Sequence, residues 1–381
     1  MRTLSDTIKR LAAAHPGAAP VRVGRDRLAD MAFTGPNPGQ LRARQYLPAN
    51  LKPGAALVVV LHGCTQDAAG YDHGSGWSTL ADRHGFALLY PEQQRSNNPN
   101  LCFNWFVPED IAREGGEAES IAAMVAQMLA EHDLDSARVF VTGLSAGGAM
   151  TAVMLATRPE LFAGGAIVAG LPYGSATTIP QAFDRMRGHG GPAGPELADR
   201  VRRASDHDGA WPALSVWHGT ADHTVAVSNM EDIVAQWLPL HGLGTAPSHS
   251  EVEGRHQRRV WQDKAGRPVI EAHAIAGMGH GTPVAPDVSG CGAAMPHMLD
   301  VGVCSTGHIA SFWGIAGAVK TRKAPAAKVA PATATAPAAR AKPATPPLRA
   351  AARPRPIPVQ ADASGVKKVI EDALRAAGLM R

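Results

Sequence analysis

The 381-residue sequence has no apolar run long enough to span a membrane and no apolar stretch of a signal peptide near its start. Its first residues instead carry charges at short intervals, and the spacing of Leu4, Ile8 and Leu11 predicts a short amphipathic helix. We assign residues 1–29 to this helix and a linker. Without a readable signal peptide, the sequence favours a cytoplasmic location.

Cysteine is scarce, with four residues in the whole chain: Cys64, Cys102, Cys291 and Cys304. Their spacing contains no CxxC pair and no accompanying pattern of histidines, so we do not expect a metal site built on them. The even count is compatible with two disulfides, but disulfides belong to oxidising compartments. The residues alone therefore leave the pairing open.

Acidic residues are absent from Lys320 to Ala361, and large apolar residues are nearly so. The segment holds nine basic side chains: Lys320, Arg322, Lys323, Lys328, Arg340, Lys342, Arg349, Arg353 and Arg355. Subtracting these nine charges from the formal net charge of +4 leaves −5, so the rest of the chain is mildly acidic. Such a composition cannot bury enough apolar surface to offset the entropy lost on ordering. We therefore expect residues 320–363 to form a disordered linker.

A helical pattern returns beyond this linker, at residues 364–381. Its apolar residues fall three and four positions apart, Ser364 can cap its start and Gly378 can end it. A short amphipathic helix on a long tether suggests docking, either onto the body of the protein or onto a partner. The basic linker could attract phosphates by its charge. It has no interleaved aromatic residues, however, so nucleic acid is not expected as a partner.

Between these termini, residues 30–319 alternate strand and helix patterns at short intervals. The run AALVVVL at residues 55–61 is continuously apolar, as is typical of a strand buried on both faces of a parallel sheet. The other patterns are an edge strand at 38–48, strands at 85–90, 139–142, 166–169 and 213–217, a strand pair at 256–276, and helices at 76–84, 117–132 and 146–156. They predict an α/β fold with a doubly wound, mainly parallel sheet and helices on both faces. The Gly- and Pro-rich residues 171–210 interrupt the alternation and could form a cap.

The sequence Gly-Leu-Ser-Ala-Gly at residues 143–147 lies directly between a predicted strand and a predicted helix. In that setting the pattern G-x-S-x-G indicates a sharp turn that exposes the Ser145 hydroxyl at the carboxyl end of the sheet. Glycines are needed at 143 and 147 because bulkier side chains would collide with the turn. The helix N-terminus that follows favours developing negative charge. Ser145 is therefore the predicted nucleophile of an α/β-hydrolase fold.

A serine hydroxyl needs a base to remove its proton and an acid to orient that base, and in this fold they follow in the order Ser, Asp, His. Asp222 comes in a loop after the predicted strand at 213–217, where it can reach the same edge of the sheet. His280 lies in a Gly-flanked loop farther along the chain. We predict Asp222 as the acid and His280 as the base. The alternatives are Asp206, Asp208 and Asp232 for the acid and His223, His273, His297 and His308 for the base.

Two backbone N–H groups are expected to stabilise the negative charge that develops on the oxygen of the attacked carbonyl. One belongs to Ala146, the residue after the nucleophile. The other should come from the loop His62-Gly63-Cys64-Thr65, which follows the predicted strand at residues 55–61.

Six short motifs occur in order along the chain: LHGCTQ (61–66), YPEQ (90–93), CFNWF (102–106), VTGLSAGGAM (141–150), AGLPYG (169–174) and HGTADHTV (218–225). Together they resemble the PHB depolymerase family of esterases, which is related to the feruloyl and acetylxylan esterases. The resemblance implies hydrolysis of poly(3-hydroxybutyrate), its oligomers or related plant cell-wall esters, without a metal or organic cofactor. It also implies Ser145, Asp222 and His280 as the catalytic residues and the N–H of Cys64 as the first oxyanion donor.

The resemblance further implies a disulfide between Cys64 and Cys102, which would tie the oxyanion loop to the CFNWF loop and so hold a backbone donor in place. Cys291 and Cys304 would then form the second pair. Many members of the family are secreted, so the missing signal peptide and the added basic tail are departures from it. Both a cytoplasmic and a secreted enzyme therefore remain open.

The predicted reaction is acyl transfer to water through an acyl-enzyme. The aromatic residues that could line an apolar substrate groove are Trp105, Phe106, Tyr173 and Trp313. One alternative is a feruloyl or acetylxylan type of esterase, or an acyltransferase, of the same fold. Another is a non-catalytic protein whose tail binds a polymer granule or nucleic acid.

Overall fold

The computed structural model describes residues 26–192 and 194–317 of the protein. The predicted amphipathic helix near the N-terminus, the basic linker at 320–363 and the helix at 364–381 lie outside the described residues.

Strands and helices alternate through most of the described chain. The strands are β1 (Ala29–Asp30), β2 (Arg42–Tyr46), β3 (Ala55–Leu61), β4 (Ala87–Glu92), β5 (Leu134–Leu144), β6 (Gly164–Val168), β7 (Ala213–Gly219), β8 (His249–Glu253), β9 (His256–Gln262), β10 (Pro268–Ile275), β11 (Thr282–Val284) and β12 (Met298–Asp300). The helices are α1 (Ala68–Ser75), α2 (Trp77–His84), α3 (Pro108–Ile111), α4 (Gly116–His132), α5 (Ala146–Thr157), α6 (Ile179–Met186), α7 (Gly194–Arg202), α8 (Ser228–Trp237) and α9 (Ser305–Phe312). None of the helices described here is both long and apolar enough to cross a membrane.

In the described part of the chain, ten strands form one sheet in the order β1-β2-β4-β3-β5-β6-β7-β10-β9-β8, and β11 pairs with β12. The six strands from β4 to β10 in this order are parallel to one another. On the two sides, β2 runs antiparallel to β4 and β9 runs antiparallel to β10. Helices cover both faces, so the predicted α/β fold with a doubly wound, mainly parallel sheet is confirmed.

Strand β3 shows why the central strands appear in the sequence as continuous apolar runs. All seven of its residues are buried. Leu57 and Val59 join a core cluster that also contains residues of α4 and α5, whereas Val58 and Val60 join a cluster that contains residues of α1 and α2. Because both faces of the strand are covered, neither face needs polar side chains.

The sheet differs from the prediction at its margins. The strand expected at 38–48 is limited to β2, because residues 37–41 form a turn in which the Asn37 side chain bonds to the backbone of Leu41. Strand β2 is not the edge strand of the sheet, because β1 pairs with its outer side. Helix α1 contains two glycines and the residues of β8 are all exposed, so neither has the apolar periodicity from which an element is predicted. The strand pair expected at 256–276 is present as β9 and β10.

Residues 171–210, the segment expected as a cap, contain α6 and α7. Helix α7 packs against α8, with Leu197 and Val201 buried. The backbone of Tyr173 is fixed to α8, because its N–H donates to Gln236 Oε1 at 3.0 Å and its carbonyl accepts from Gln236 Nε2 at 2.9 Å. Helix α7 therefore belongs to the helical layer beside the sheet, and the start of the segment is attached to the same layer at Tyr173.

Candidate active site

The turn between β5 and α5 holds Ser145 in a strained backbone conformation, with φ 57° and ψ −117°. A Cβ atom at Gly143 would lie 2.4 Å from the backbone of Gly147, and one at Gly147 would lie 2.4 Å from the carbonyl oxygen of Leu61. Both positions therefore require glycine, as the sequence pattern predicts. The turn places the nucleophile candidate at the carboxyl end of β5.

The backbone around Ser145 leaves a hydrogen-bond donor free at the turn. Ala146 is the first residue of α5, so its N–H has no acceptor within the helix. The Ser145 side chain does not cap this helix, and among the described residues its hydroxyl makes no hydrogen bond. The site therefore presents both a hydroxyl and a free N–H.

Asp222 lies in the loop that follows β7, and its carboxylate is held from two sides. Oδ1 accepts the N–H groups of Thr224 and Val225, both at 2.9 Å. Oδ2 lies 2.7 Å from His280 Nδ1 and 3.4 Å from His218 Nε2. Burial by itself would raise the pKa of Asp222, but the hydrogen bonds of His218 and His280 hold that pKa well below its usual range. Asp222 is therefore an ionised partner for His280.

The loop that carries His280 follows β10 and packs directly on the end of β7. The N–H of Thr220 donates to the carbonyl of Ile275 at 3.0 Å, and that of Ala221 donates to the carbonyl of Met278 at 2.9 Å. A Cβ atom at Gly219 would lie 2.3 Å from the Met278 oxygen. The glycine therefore lets the two loops approach closely enough for Asp222 to bond to His280.

Backbone hydrogen bonds connect the ends of neighbouring parallel strands. The N–H of Ser145 donates to Val168 O at 2.9 Å at the end of β6, and the N–H of Ala169 donates to Trp217 O at 2.8 Å in β7. The hydrogen bond from the N–H of Thr220, after β7, to the carbonyl of Ile275, at the end of β10, connects the next pair of strands in the same way. Ser145, Asp222 and His280 consequently all lie at the carboxyl edge of the same sheet, which is where the sequence analysis expects them.

The other candidates for acid and base lie in different environments. Asp206, Asp208 and His223 are exposed, and Asp232 lies in α8. His273 and His308 belong to a buried cluster around Trp217.

His297 is near His280, with Nδ1 3.5 Å from the carbonyl oxygen of His280, and burial together with that neighbour lowers its pKa. Among the described residues, His280 and His218 are the histidines whose rings contact Asp222.

His218 is a contact of Asp222 that the sequence analysis does not identify. It is fully buried, and its Nε2 also lies 2.8 Å from the carbonyl oxygen of Val225. Its position in the motif HGTADHTV, four residues before the acid, is the signal that could have indicated this role.

The loop after β3 provides a second free N–H. Among the described residues, the N–H of Cys64 donates to no acceptor. Thr65 has a φ of 63°, and its N–H donates to Asn100 O at 2.7 Å. Cys64 is disulfide-bonded to Cys102. The loop is thus attached to residues 100–102 both covalently and by a hydrogen bond.

The second disulfide joins Cys291 to Cys304, so the pair implied by the family resemblance and the pair formed by the two remaining cysteines are both present. Both sulfurs of this second pair belong to a small buried cluster next to the start of α9.

The four aromatic candidates divide into two groups. Trp105 and Phe106 contact each other edge to face next to Cys102, and Tyr173 is half-buried. Trp313 is placed elsewhere, because it stacks on the Phe140 ring at 4.8 Å and lies against Gly164 at the start of β6. Ser145 contacts the opposite end of β6, about 13 Å away at 3.3 Å per residue. The structure therefore assigns Trp313 to the core and not to a substrate groove.

Comparisons with known proteins agree on one family. A family model described as "Esterase PHB depolymerase" matches residues 43–260. The chain is 46% identical over 286 residues to poly(3-hydroxyalkanoate) depolymerase C of Paucimonas lemoignei, covering 74% of this chain and 69% of that protein. It is 33% identical over 257 residues to acetylxylan esterase A of Aspergillus oryzae, covering 65% of this chain and 81% of that protein. Among solved structures, the acetyl xylan esterase from Aspergillus awamori matches with a TM-score of 0.65 and 26% identity, covering 76% of this chain and 99% of that one.

Proposed function

Because this chain is a carboxylic ester hydrolase that belongs to the PHB depolymerase family of esterases, we propose that Ser145, His280 and Asp222 are its nucleophile, base and acid. The observation that supports this assignment best is the 2.7 Å contact between His280 Nδ1 and Asp222 Oδ2. It lies at the same sheet edge as the strained turn of Ser145. The N–H groups of Cys64 and Ala146 form the proposed oxyanion hole.

The proposed reaction has two steps that use the same groups. In the first, His280 Nε2 takes the proton of Ser145 while Oγ attacks the ester carbonyl carbon, and the two N–H groups donate to the resulting oxyanion. The C–O bond then breaks as His280 returns the proton to the leaving alcohol. In the second, His280 deprotonates a water that attacks the acyl-enzyme, and the carboxylic acid leaves as Ser145 regains its proton. Asp222 keeps Nδ1 protonated, so that Nε2 stays free to act as the base.

Poly(3-hydroxybutyrate) or its oligomers are the proposed substrates. The support is the similarity to a relative named as a poly(3-hydroxyalkanoate) depolymerase over 74% of this chain. Relatives named as acetylxylan and feruloyl esterases make short acetyl and feruloyl esters the alternative substrates. Trp105, Phe106 and Tyr173 are proposed to contact the acyl chain, because their apolar surface suits a polyester better than a charged substrate.

The chain outside the described residues has a separate proposed role. We assign residues 30–319 to the catalytic body, and we assign residues 320–363 and 364–381 to a linker and a helix that attach the enzyme to a polymer granule. The basic linker and the apolar spacing of the terminal helix support this division.

A substrate panel on wild-type protein and on the variant Ser145→Ala tests the proposed function. We expect hydrolysis of 4-nitrophenyl butyrate and of a poly(3-hydroxybutyrate) suspension, with weaker activity on methyl ferulate. Ser145→Ala should lose this turnover and keep its melting temperature, because the side chain is small and supports no core packing. Wild-type turnover in Ser145→Ala would exclude the nucleophile assignment, and preference for ferulate would exclude the polyester.

A further inference from the structure

Glu117, on the first turn of α4, has a buried carboxyl group to which the reaction assigns no role. It is completely shielded from solvent and accepts four N–H donors. Oε1 accepts from Gln93 Nε2 at 2.6 Å, from Asn104 Nδ2 at 2.8 Å and from Asn97 Nδ2 at 3.3 Å. Oε2 accepts the backbone N–H of Asn104 at 2.9 Å. Such a group stays buried only while its donors remain in place.

The two side-chain amides closest to Glu117 are fixed in orientation, that of Gln93 by a backbone N–H and that of Asn104 by the side chain of Asn98. The N–H of Gln94 donates to Gln93 Oε1 at 2.9 Å, which turns the NH₂ group of Gln93 towards Glu117. Asn98 Nδ2 donates to Asn104 Oδ1 at 2.9 Å and thereby turns the NH₂ group of Asn104 the same way. Asn98 is itself fixed, because its Oδ1 accepts the backbone N–H groups of Asn100 and Cys102. Because a backbone N–H can only donate, these orientations cannot be reversed. Glu117 is therefore the acceptor at which the network ends.

The network connects Glu117 to Cys102. Asn98 Oδ1 accepts the N–H of Cys102 at 3.3 Å, and Gln93 Nε2 donates to the carbonyl of Cys102 at 3.0 Å. Both backbone groups of Cys102 are thus held by side chains of this network. Its sulfur is bonded to Cys64, whose N–H is the proposed oxyanion donor.

A second connection passes through His62, at the start of the oxyanion loop. The N–H of Gln93 donates to His62 Nε2 at 3.1 Å, and His62 Nδ1 lies 2.8 Å from the carbonyl oxygen of Gly63. The network thereby joins three of the motifs noted in the sequence, LHGCTQ, YPEQ and CFNWF. Their polar residues hold one loop against another, and none of them is needed for proton transfer.

We propose that Glu117 is a positioning residue of the esterase, which holds the Cys64 N–H at the oxyanion through Gln93, Asn104 and the Cys64–Cys102 disulfide. The proposal rests on the oxyanion hole proposed above. Oxyanion donors act by being fixed in place before the charge develops, so a shift of the loop lowers turnover without changing the affinity for the neutral ester. Loss of the carboxyl group leaves three N–H groups without their acceptor, one of Gln93 and two of Asn104, whereas Asn97 Nδ2 keeps Gly39 O and Gln93 Oε1. The loop at residues 98–104 then relaxes.

The test compares Glu117→Met, which has a similar length but no acceptor, with Glu117→Gln, which keeps one acceptor oxygen. For 4-nitrophenyl butyrate we expect Glu117→Met to lower kcat by about 10- to 100-fold, less than the loss of a whole oxyanion donor. We expect KM to stay within about twofold, since the ground state does not use the donor. The inhibition constant of butylboronic acid, whose Ser145 adduct places an oxygen in the oxyanion hole, should rise in parallel. Glu117→Gln should restore most of kcat.

Glu271→Met is the matched control, because Glu271 also has a buried carboxyl group but bonds to Ser215 and Arg258. Its strand β10 is separated by β5, β6 and β7 from β3, which leads into the oxyanion loop. This variant should lower the melting temperature and leave kcat nearly unchanged.

Asn98→Ala breaks the connection between Asn104 and Cys102 at a half-buried position, and it tests the proposal if Glu117→Met does not fold. Wild-type kcat and boronate inhibition in folded Glu117→Met or, failing that, in Asn98→Ala would overturn the proposal. A kcat loss in Glu271→Met equal to that in Glu117→Met would also overturn it. An inactive wild-type protein would instead overturn the proposed function.

Discussion

At the scale of single residues, the chemistry of the site follows from backbone geometry more than from the side chains alone. Ser145 is identified from the sequence because only glycines fit at 143 and 147, and the structure shows the backbone contacts that exclude anything larger. Asp222 and His280 are separated by 57 intervening residues, and their contact depends on the close packing of Gly219 against Met278. His218 and Glu117 are not found from the sequence, because their partners become neighbours only in the folded chain.

The assignment of the acid predicts the effect of Asp222→Asn. We expect kcat to fall by about ten-thousand-fold, as for the analogous change in a serine protease, because the amide no longer holds Nδ1 of His280 protonated. The asparagine side chain would keep nearly the same shape as the aspartate, so the melting temperature should change little compared with kcat. Turnover of 4-nitrophenyl butyrate measures the effect. A comparable loss in Asp206→Asn, with Asp222→Asn nearly silent, would transfer the role to Asp206.

At the scale of elements, the parallel strands are predicted from sequence because they are buried on both faces. Strand β3 is the clearest case, and β7 is recognised in the same way. The exposed β8 and the glycine-containing α1 carry no such pattern, so they become visible only through their tertiary contacts. Loops are the least predictable elements. The conformation of residues 98–104 depends on the side-chain amides of Gln93 and Asn98, whose partners the sequence does not show.

The two disulfides offer a comparison between loops at this scale. Closing loops with sequence separations of 38 and 13 residues stabilises a chain by similar amounts, about 4 and about 3 kcal/mol in the chain-entropy account. Replacing both cysteines of either pair by serine should therefore lower the melting temperature comparably. We expect kcat to fall by about 10- to 100-fold for the Cys64/Cys102 pair, as in Glu117→Met, because the oxyanion loop is freed. It should stay near wild type for the Cys291/Cys304 pair.

Turnover and thermal unfolding of the two double variants, each confirmed by mass, distinguish these effects. Equal kcat values in both would mean that the Cys64–Cys102 bond serves stability alone.

At the scale of the whole molecule, a buried histidine cluster that takes no part in the proposed reaction predicts sensitivity to acid. Burial and neighbouring histidines lower the pKa of His256 to about 3 and that of His308 to about 4. Burial would raise the pKa of Glu271, but His273 and Arg258 lower it to about 2. At these three residues the unfolded chain therefore binds more protons than the folded protein, below about pH 6.5 for the histidines and below about pH 4.5 for Glu271.

From these shifts we expect the contribution of the cluster to the free energy of unfolding to fall as the pH is lowered from about 6.5 towards 4, with Glu271 adding to the loss below about 4.5. His308→Phe should make this dependence shallower, because it removes one of the suppressed protonations. The Nε2 atom of His308 is buried without a hydrogen-bond partner among the described residues, so little else is lost. Denaturant unfolding across this pH range measures the slopes, and identical slopes for wild type and His308→Phe would contradict the assignment.

The largest-scale prediction concerns the chain beyond the catalytic body. Truncation after Lys320 should leave the melting temperature and turnover of 4-nitrophenyl butyrate nearly unchanged, because the removed linker has almost no apolar residues to bury. Sedimentation with poly(3-hydroxybutyrate) granules should decrease if the helix at 364–381 attaches the enzyme to them. A second truncation after Ala361 keeps the nine basic charges and removes the helix, so it separates charge from apolar docking. A large loss of melting temperature in either truncation would instead mean that Val366, Ile370 and Leu374 pack against the body.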